Sequence, residues 1–249
     1  MFLAQWFIYF IIYSFVGYIA EVVMVSFEHK KLVNRGFLCG PICPIYGCGA
    51  LLMIMFLRRY VHDYLALFII GALIASILEY LISFLLEKIF HNKWWDYSKE
   101  KFNLNGRVCL SNTIWFGIGS VGLLEFIHPF VSKYILRLSP DWIVIIAIVL
   151  AVLLLADTIY SCVVAYNLRN RIIIVEELKN EKLSSIPSIL ERKLKKRVAN
   201  LKMYPSRLMK AFPYLASRYK REFSLMKHLK QKSREKKEKK VAKAKEKKK

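Results

Sequence analysis

Five apolar stretches, near 3–26, 42–57, 64–86, 108–127 and 142–166, occupy most of residues 1–166. A helix needs roughly 20 apolar residues to cross a bilayer. Lipid cannot satisfy backbone amides, so such segments must be helical or close into a barrel. The stretches are continuous rather than alternating, which selects helices. The expected fold is therefore all-α, a polytopic membrane bundle of about five transmembrane helices. Segment 42–57 is short and begins among Gly and Pro, so it is expected to tilt or to span incompletely.

Three acids interrupt these runs: Glu21, Glu79 and Asp157. A carboxylate in hydrocarbon costs several kcal/mol even on lenient scales, so such residues face a protein interior and mark function. Helical spacing puts Ser14 and Gly17 on the face of Glu21. It also puts Ala72, Ser76 and Ser83 with Glu79, and Ser161 and Ala165 with Asp157. Small residues let helices approach closely and polar ones join them.

Charge divides the chain in two. Residues 1–166 hold 12 Lys/Arg against 10 Asp/Glu, and residues 167–249 hold 28 against 8. A nearly neutral membrane domain is followed by a basic tail. Loops 27–41 and 87–107 carry 3 and 5 Lys/Arg, whereas 58–63 and 128–141 carry 2 each. By the positive-inside rule the N-terminus lies outside and the tail in the cytoplasm. No cleavable signal is expected, because Lys and Arg are absent before the first span.

Residues 167–185 are expected to continue the last helix into the cytoplasm. Segment 188–230 mixes Lys/Arg with Leu, Met, Phe and Tyr, which suits an anionic inner leaflet. Residues 231–249, nearly all Lys, Glu and Ala, are expected to be disordered or transiently helical. RNA is the second candidate partner for this run, behind lipid.

A duplication runs through the first four spans. At an offset of 70, Gly36, Cys39, Tyr46, Gly47 and Gly49 meet Gly106, Cys109, Phe116, Gly117 and Gly119. Glu21 meets Glu79 at an offset of 58, so the second loop holds an insertion of 12 around Trp94-Trp95-Asp96-Tyr97-Ser98. Both units run in the same direction, giving two parallel helical-hairpin repeats plus one helix.

Arg35 and Arg107 begin the returning spans, so each repeat offers a carboxylate and a guanidinium at similar depth. A guanidinium is a planar fork suited to a carboxylate or a phosphate. Asp96, Asn103 and Asn105 are placed to cap the same region. The candidate substrate-binding set is Glu21, Arg35, Glu79, Asn103, Asn105, Arg107 and Asp157. The alternative reading is a pair of Glu–Arg bridges that only close the bundle. Segment 34–47 contains Gly36, Gly40, Pro41 and Pro44 and reads either as a broken re-entrant start or as a loop with Pro in a first turn. Trp94, Trp95 and Tyr97 suit an interfacial belt. Cys39, Cys43 and Cys48 lack zinc-pair spacing, and no metal, cofactor or catalytic site is expected. Nucleophile, metalloprotease and Walker motifs are absent from the sequence.

Glu21, the run Asn34 to Gly49, Trp94-Trp95-Asp96-Tyr97-Ser98 and Phe102-Asn103-Leu104-Asn105-Gly106-Arg107 resemble the bacterial multi-pass family of CmpB-type ABC-transporter permeases. The resemblance covers roughly residues 5–165. It implies a bacterial plasma-membrane protein, a permease role and a separate ATPase subunit as a possible partner. Three functions follow for comparison. The first is a permease-like transport component with an inner-leaflet polar cleft. The second is a membrane-embedded enzyme or binder acting on lipid or phosphorylated headgroups. The third is a non-transporting scaffold.

Overall fold

A computed structural model describes residues 1–30, 36–90 and 93–180. Arg35 and the tail beyond 180, with the expectations attached to them, lie outside these residues. The described residues form six α-helices: α1 (Phe2–His29), α2 (Pro44–Leu57), α3 (Tyr64–Phe90), α4 (Leu110–Gly122), α5 (His128–Ile135) and α6 (Pro140–Asn180). A π-helical segment, Leu123–Ile127, joins α4 to α5. The described strands are β1 (Asn103–Leu104) and β2 (Val108–Cys109), paired antiparallel.

Among the described residues, four helices are long and apolar enough to cross a membrane: Phe2–Phe27, Tyr64–Phe90, Leu110–Ile135 and Pro140–Tyr166. The last two include more residues than expected, since the fourth runs past 127 to Ile135. α2 is different. Its 14 residues rise only ~21 Å, short of a hydrocarbon core of about 30 Å. The bundle therefore has four full spans and one short helix. Pro44 starts α2, where its missing amide would have had no partner anyway. The irregular segment 36–43 completes the path of α2 toward the membrane surface.

The π segment has a local cause. Pro129 cannot donate to the carbonyl of Glu125, and its ring crowds that carbonyl. The turn before it widens, and the helix continues as α5.

Polarity is distributed as a membrane protein requires. Ser14, Glu79, Ser83, Ser120 and Ser161 are buried, while Ile69, Leu73, Ile77, Leu81, Ile148 and Val152 are exposed. An apolar exterior of this extent is stable only against lipid. The small and polar faces foreseen around Glu79 and Ser161 do turn inward: Ala72, Ser83 and Ala165 are buried.

α1 pairs with α2, and α3 with α4, as antiparallel hairpins. Gly47 of α2 lies where a Cβ would strike Ser14 Oγ and the Phe10 carbonyl of α1. Gly117 of α4 lies where a Cβ would strike the Phe68 ring of α3. Gly47 maps to Gly117 at the offset of 70, and Phe10 to Phe68 at the offset of 58. Both hairpins therefore place a glycine against the corresponding phenylalanine.

The interior is layered along the membrane normal. Toward the turn at 58–63, Ile8, Tyr9, Met53, Ile54, Leu57, Leu67, Leu124, Ile143 and Ala147 form the main apolar core. At the opposite end, Phe90, Trp94 and Ala165 form a small cluster with Phe37. Residues 93–109 fold over that end as a cap. Between the two apolar layers lies a polar one.

Candidate functional site

The polar layer is built by one residue type at a time. Gly17 sits one turn before Glu21 on α1, and any side chain there would strike Tyr46 Cβ and Cγ. The glycine thus makes room for the Tyr46 ring beside Glu21. Cys43, immediately before α2, donates its thiol to Glu21 Oε2 at 3.5 Å. On the other hairpin, Glu79 is buried in α3. Tyr97 of the cap donates its hydroxyl to Glu79 Oε1 at 3.3 Å. Asn112 in the first turn of α4 reaches the same carboxyl, although Oε2 makes no hydrogen bond of full geometry among the described residues. Tyr46 lies within electrostatic range of Glu21, Cys43, Tyr97 and Glu79. Two carboxyls, two phenols, a thiol and an amide therefore meet where the two hairpins face each other.

The other expected site residues are placed elsewhere. Asp157 on α6 accepts the backbone amides of Cys39 at 2.8 Å and Gly40 at 2.7 Å, and Ser161 Oγ at 3.1 Å. Its carboxylate satisfies two successive donors that the broken segment 36–43 would otherwise leave unpaired. Gly40 is fitted to it, since a Cβ there would lie 3.2 Å from Asp157 Oδ2.

Arg107 forms its ion pair with Glu87, at 2.9 Å, and not with Glu79. Its guanidinium also lies over the rings of Tyr80 and Phe84, at 5.5 and 5.3 Å. The expected depth match between Arg107 and Glu79 fails because Arg107 belongs to a tight turn at the membrane edge. Asn105 and Gly106 both have positive φ, 55° and 69°, and Arg107 N donates to Leu104 O at 3.0 Å. This is a type I′ turn, for which Asn-Gly is the preferred pair. Asn103 holds the turn: its Oδ1 accepts Gly106 N at 3.0 Å and its amide donates to Glu100 O at 2.8 Å. Asn105 donates to Tyr80 Oη at 2.9 Å. The two asparagines shape the cap rather than join the cluster around Glu21 and Glu79. Trp95 Nε1 bonds Arg107 O at 3.0 Å, and Tyr97 N bonds Gly106 O at 2.8 Å. The hairpin thereby aims Tyr97 at Glu79.

Glu21 and Glu79 are thus the two foreseen residues that the fold brings into one site. Tyr46, Tyr97, Cys43 and Asn112 were not foreseen as its members. Tyr97 had been assigned to an interfacial belt, yet its hydroxyl points inward. The Asn105-Gly106 turn signal, which brings the cap back over α3, was the available clue.

Residues 8–162, more than half of the chain, match the family described as "Putative ABC-transporter type IV", the CmpB type. No curated protein and no solved structure matches the chain. With its membrane helices and its match across both hairpins, the chain belongs to this CmpB-type ABC-transporter family.

Proposed function

We propose that the protein is a permease-like membrane component of a transporter, and that its cargo engages the chamber formed by Glu21, Tyr46, Glu79, Tyr97 and Asn112. The observation that carries this reading is the Tyr97–Glu79 contact. The connection between two spans reaches into the bundle and covers a buried carboxyl, the arrangement by which a lid sequesters a bound group. The buried Glu79 Oε2 is an acceptor, so the cargo's recognised part donates hydrogen bonds or carries positive charge. The cap end faces the cytoplasm, in keeping with the Lys/Arg content of loops 27–41 and 87–107. Energy comes from a separate ATPase subunit, as membership of an ABC-transporter family suggests.

The test is mass spectrometry of small molecules that copurify with the full chain in native-lipid nanodiscs. The wild type should retain a donor-rich or cationic species, and Glu79→Gln and Tyr97→Phe should each release it. An identical set from all three proteins would overturn the chamber as the binding site.

A further inference from the structure

The end of the bundle opposite the cap holds a second polar cluster. Glu125 lies in the π segment with its side chain 7% exposed, and its carboxylate sits 3.2 Å from His62 Nδ1, on an imidazole 81% exposed. The same carboxylate accepts the backbone N–H of His62. His62 has φ 75°, a left-handed conformation unfavourable for a residue with a side chain. Nearby, Tyr13 Oη and His128 Nδ1 share a hydrogen bond of 2.7 Å. His128 stands edge-on to Tyr9 and Tyr13, with ring centroids 5.4 and 6.1 Å away, and is in electrostatic contact with Arg58.

Two uncommon backbone states therefore meet at one carboxylate. A left-handed non-glycine residue and a π turn each persist only where their surroundings hold them. Glu125 links them: it stands in the π turn that Pro129 widens, and its carboxylate holds the His62 turn. Losing its grip on His62 would let the 58–63 turn relax and leave the π segment without its tie to that turn. A turn held in an uncommon conformation by a single tie opens when that tie is lost, which is what a gate requires.

The position of this tie matters for the chamber. Tyr13 adjoins Ser14 on α1. Ser14 is fully buried against Gly47, the neighbour of Tyr46. Tyr13 and Glu21 are separated by about 12 Å along the helix axis. The Tyr13–His128 bond is thus one residue along α1 from Ser14, which packs against the turn of α2 that carries Tyr46.

We propose that the Glu125–His62 tie and the Tyr13–His128 hydrogen bond form the far-side gate of the transport path, closed in the structure described here. The proposal rests on the transport reading above. Its test needs no cargo, so the two can fail separately. Ser14→Cys would be placed in the full chain in nanodiscs, with Ser120→Cys as a reference at a second fully buried serine. Maleimide adducts would be assigned by peptide-resolved mass spectrometry. Adding Glu125→Gln should speed labelling at position 14 by about tenfold or more, because local opening becomes easier. Labelling at position 120 should not change. An unchanged rate at position 14 refutes the gate, and so does an equal rise at both positions, which would mean general loosening. If Ser14→Cys fails to fold against Gly47, hydrogen exchange of residues 44–57 replaces it. Faster exchange there in Glu125→Gln supports the gate, and unchanged exchange refutes it.

Discussion

Arg107 holds its charge between two aromatic rings and the Glu87 carboxylate, with its side chain only 16% exposed. A pair at that depth is partly desolvated, so removing one member leaves the other poorly compensated. Glu87→Gln and Arg107→Gln should each destabilise the protein in detergent. Their double mutant should show a coupling of about 0.5–3 kcal/mol, the range for contacting residues. The Glu79→Gln with Arg107→Gln cycle should show much less. Thermal unfolding of both sets checks this, and stronger coupling to Glu79 would reverse the assignment. Asp157 works differently, through neutral amides. Asp157→Asn keeps the shape but loses charge-assisted bonds to Cys39 and Gly40, each worth about 1.5–3 kcal/mol. Segment 36–43 should loosen, and the Cys39 thiol should become more reactive, in a quantitative thiol assay. The carboxylates themselves were legible in the sequence because hydrocarbon makes any acid conspicuous. Their partners were not, because a partner's distance along the chain says nothing about depth. Glu87, eight residues from Glu79, sits at the height of the returning turn. Glu125 was passed over because it falls at the end of its apolar stretch, where an acid looks like an ordinary boundary.

At the scale of elements, one glycine fixes the spacing of each hairpin. A methyl at Gly47 would press on the Phe10 carbonyl, which is backbone and cannot swing aside. A methyl at Gly117 would press on the Phe68 ring, which can turn. Gly47→Ala should therefore cost about 1–3 kcal/mol, as overpacking does, and Gly117→Ala clearly less. Gly119 faces open space, so Gly119→Ala should be neutral or gain up to about 1 kcal/mol of helix propensity. Detergent melting curves would decide, and equal losses at all three positions would remove the packing argument. The repeat was readable from these residues before any contact was known, since close approach needs Gly in both copies. The capping role of 93–109 is suggested by Asp96, Asn103 and Asn105 in the sequence, but its hairpin is not, because it is only two residue pairs long and too short to leave an alternating pattern. Its Asn105-Gly106 turn was the one local signal strong enough to announce it. The shortness of α2 was visible from its Gly/Pro-rich beginning.

Across the whole molecule, direction is set by the alternation of helices and by where the basic residues fall. α1 and α3 end at the cap, and α2 and α4 begin there, as the antiparallel contacts of Gly47 and Gly117 require. α6 runs from Ile143 and Ala147 in the main core to Ala165 at the cap. The termini of the membrane domain, near Met1 and Tyr166, therefore lie at opposite ends of the bundle. The cap end adjoins loops carrying 3 and 5 Lys/Arg and the tail carrying 28, against 2 in each loop at the other end. Lys and Arg resist export across the membrane, so the cap end should face the cytoplasm. The four full spans enforce the rest, because a helix of such length cannot stop midway in lipid without leaving backbone groups unsatisfied. Segment 36–43 with α2 must also return the chain from the cap side to the far side, which Asp157 makes tolerable by pairing the Cys39 and Gly40 amides. Single cysteines at positions 61 and 137 should then react with a membrane-impermeant maleimide on intact cells. A cysteine at position 99, in the cap, should react only after permeabilisation. Labelling of position 99 from outside, with 61 and 137 protected, would invert the molecule and put the Glu21–Glu79 chamber on the external face. Labelling of 61 but not 137 would mean that α4 and α5 do not return the chain across the bilayer, and the hairpin repeat would fail with it.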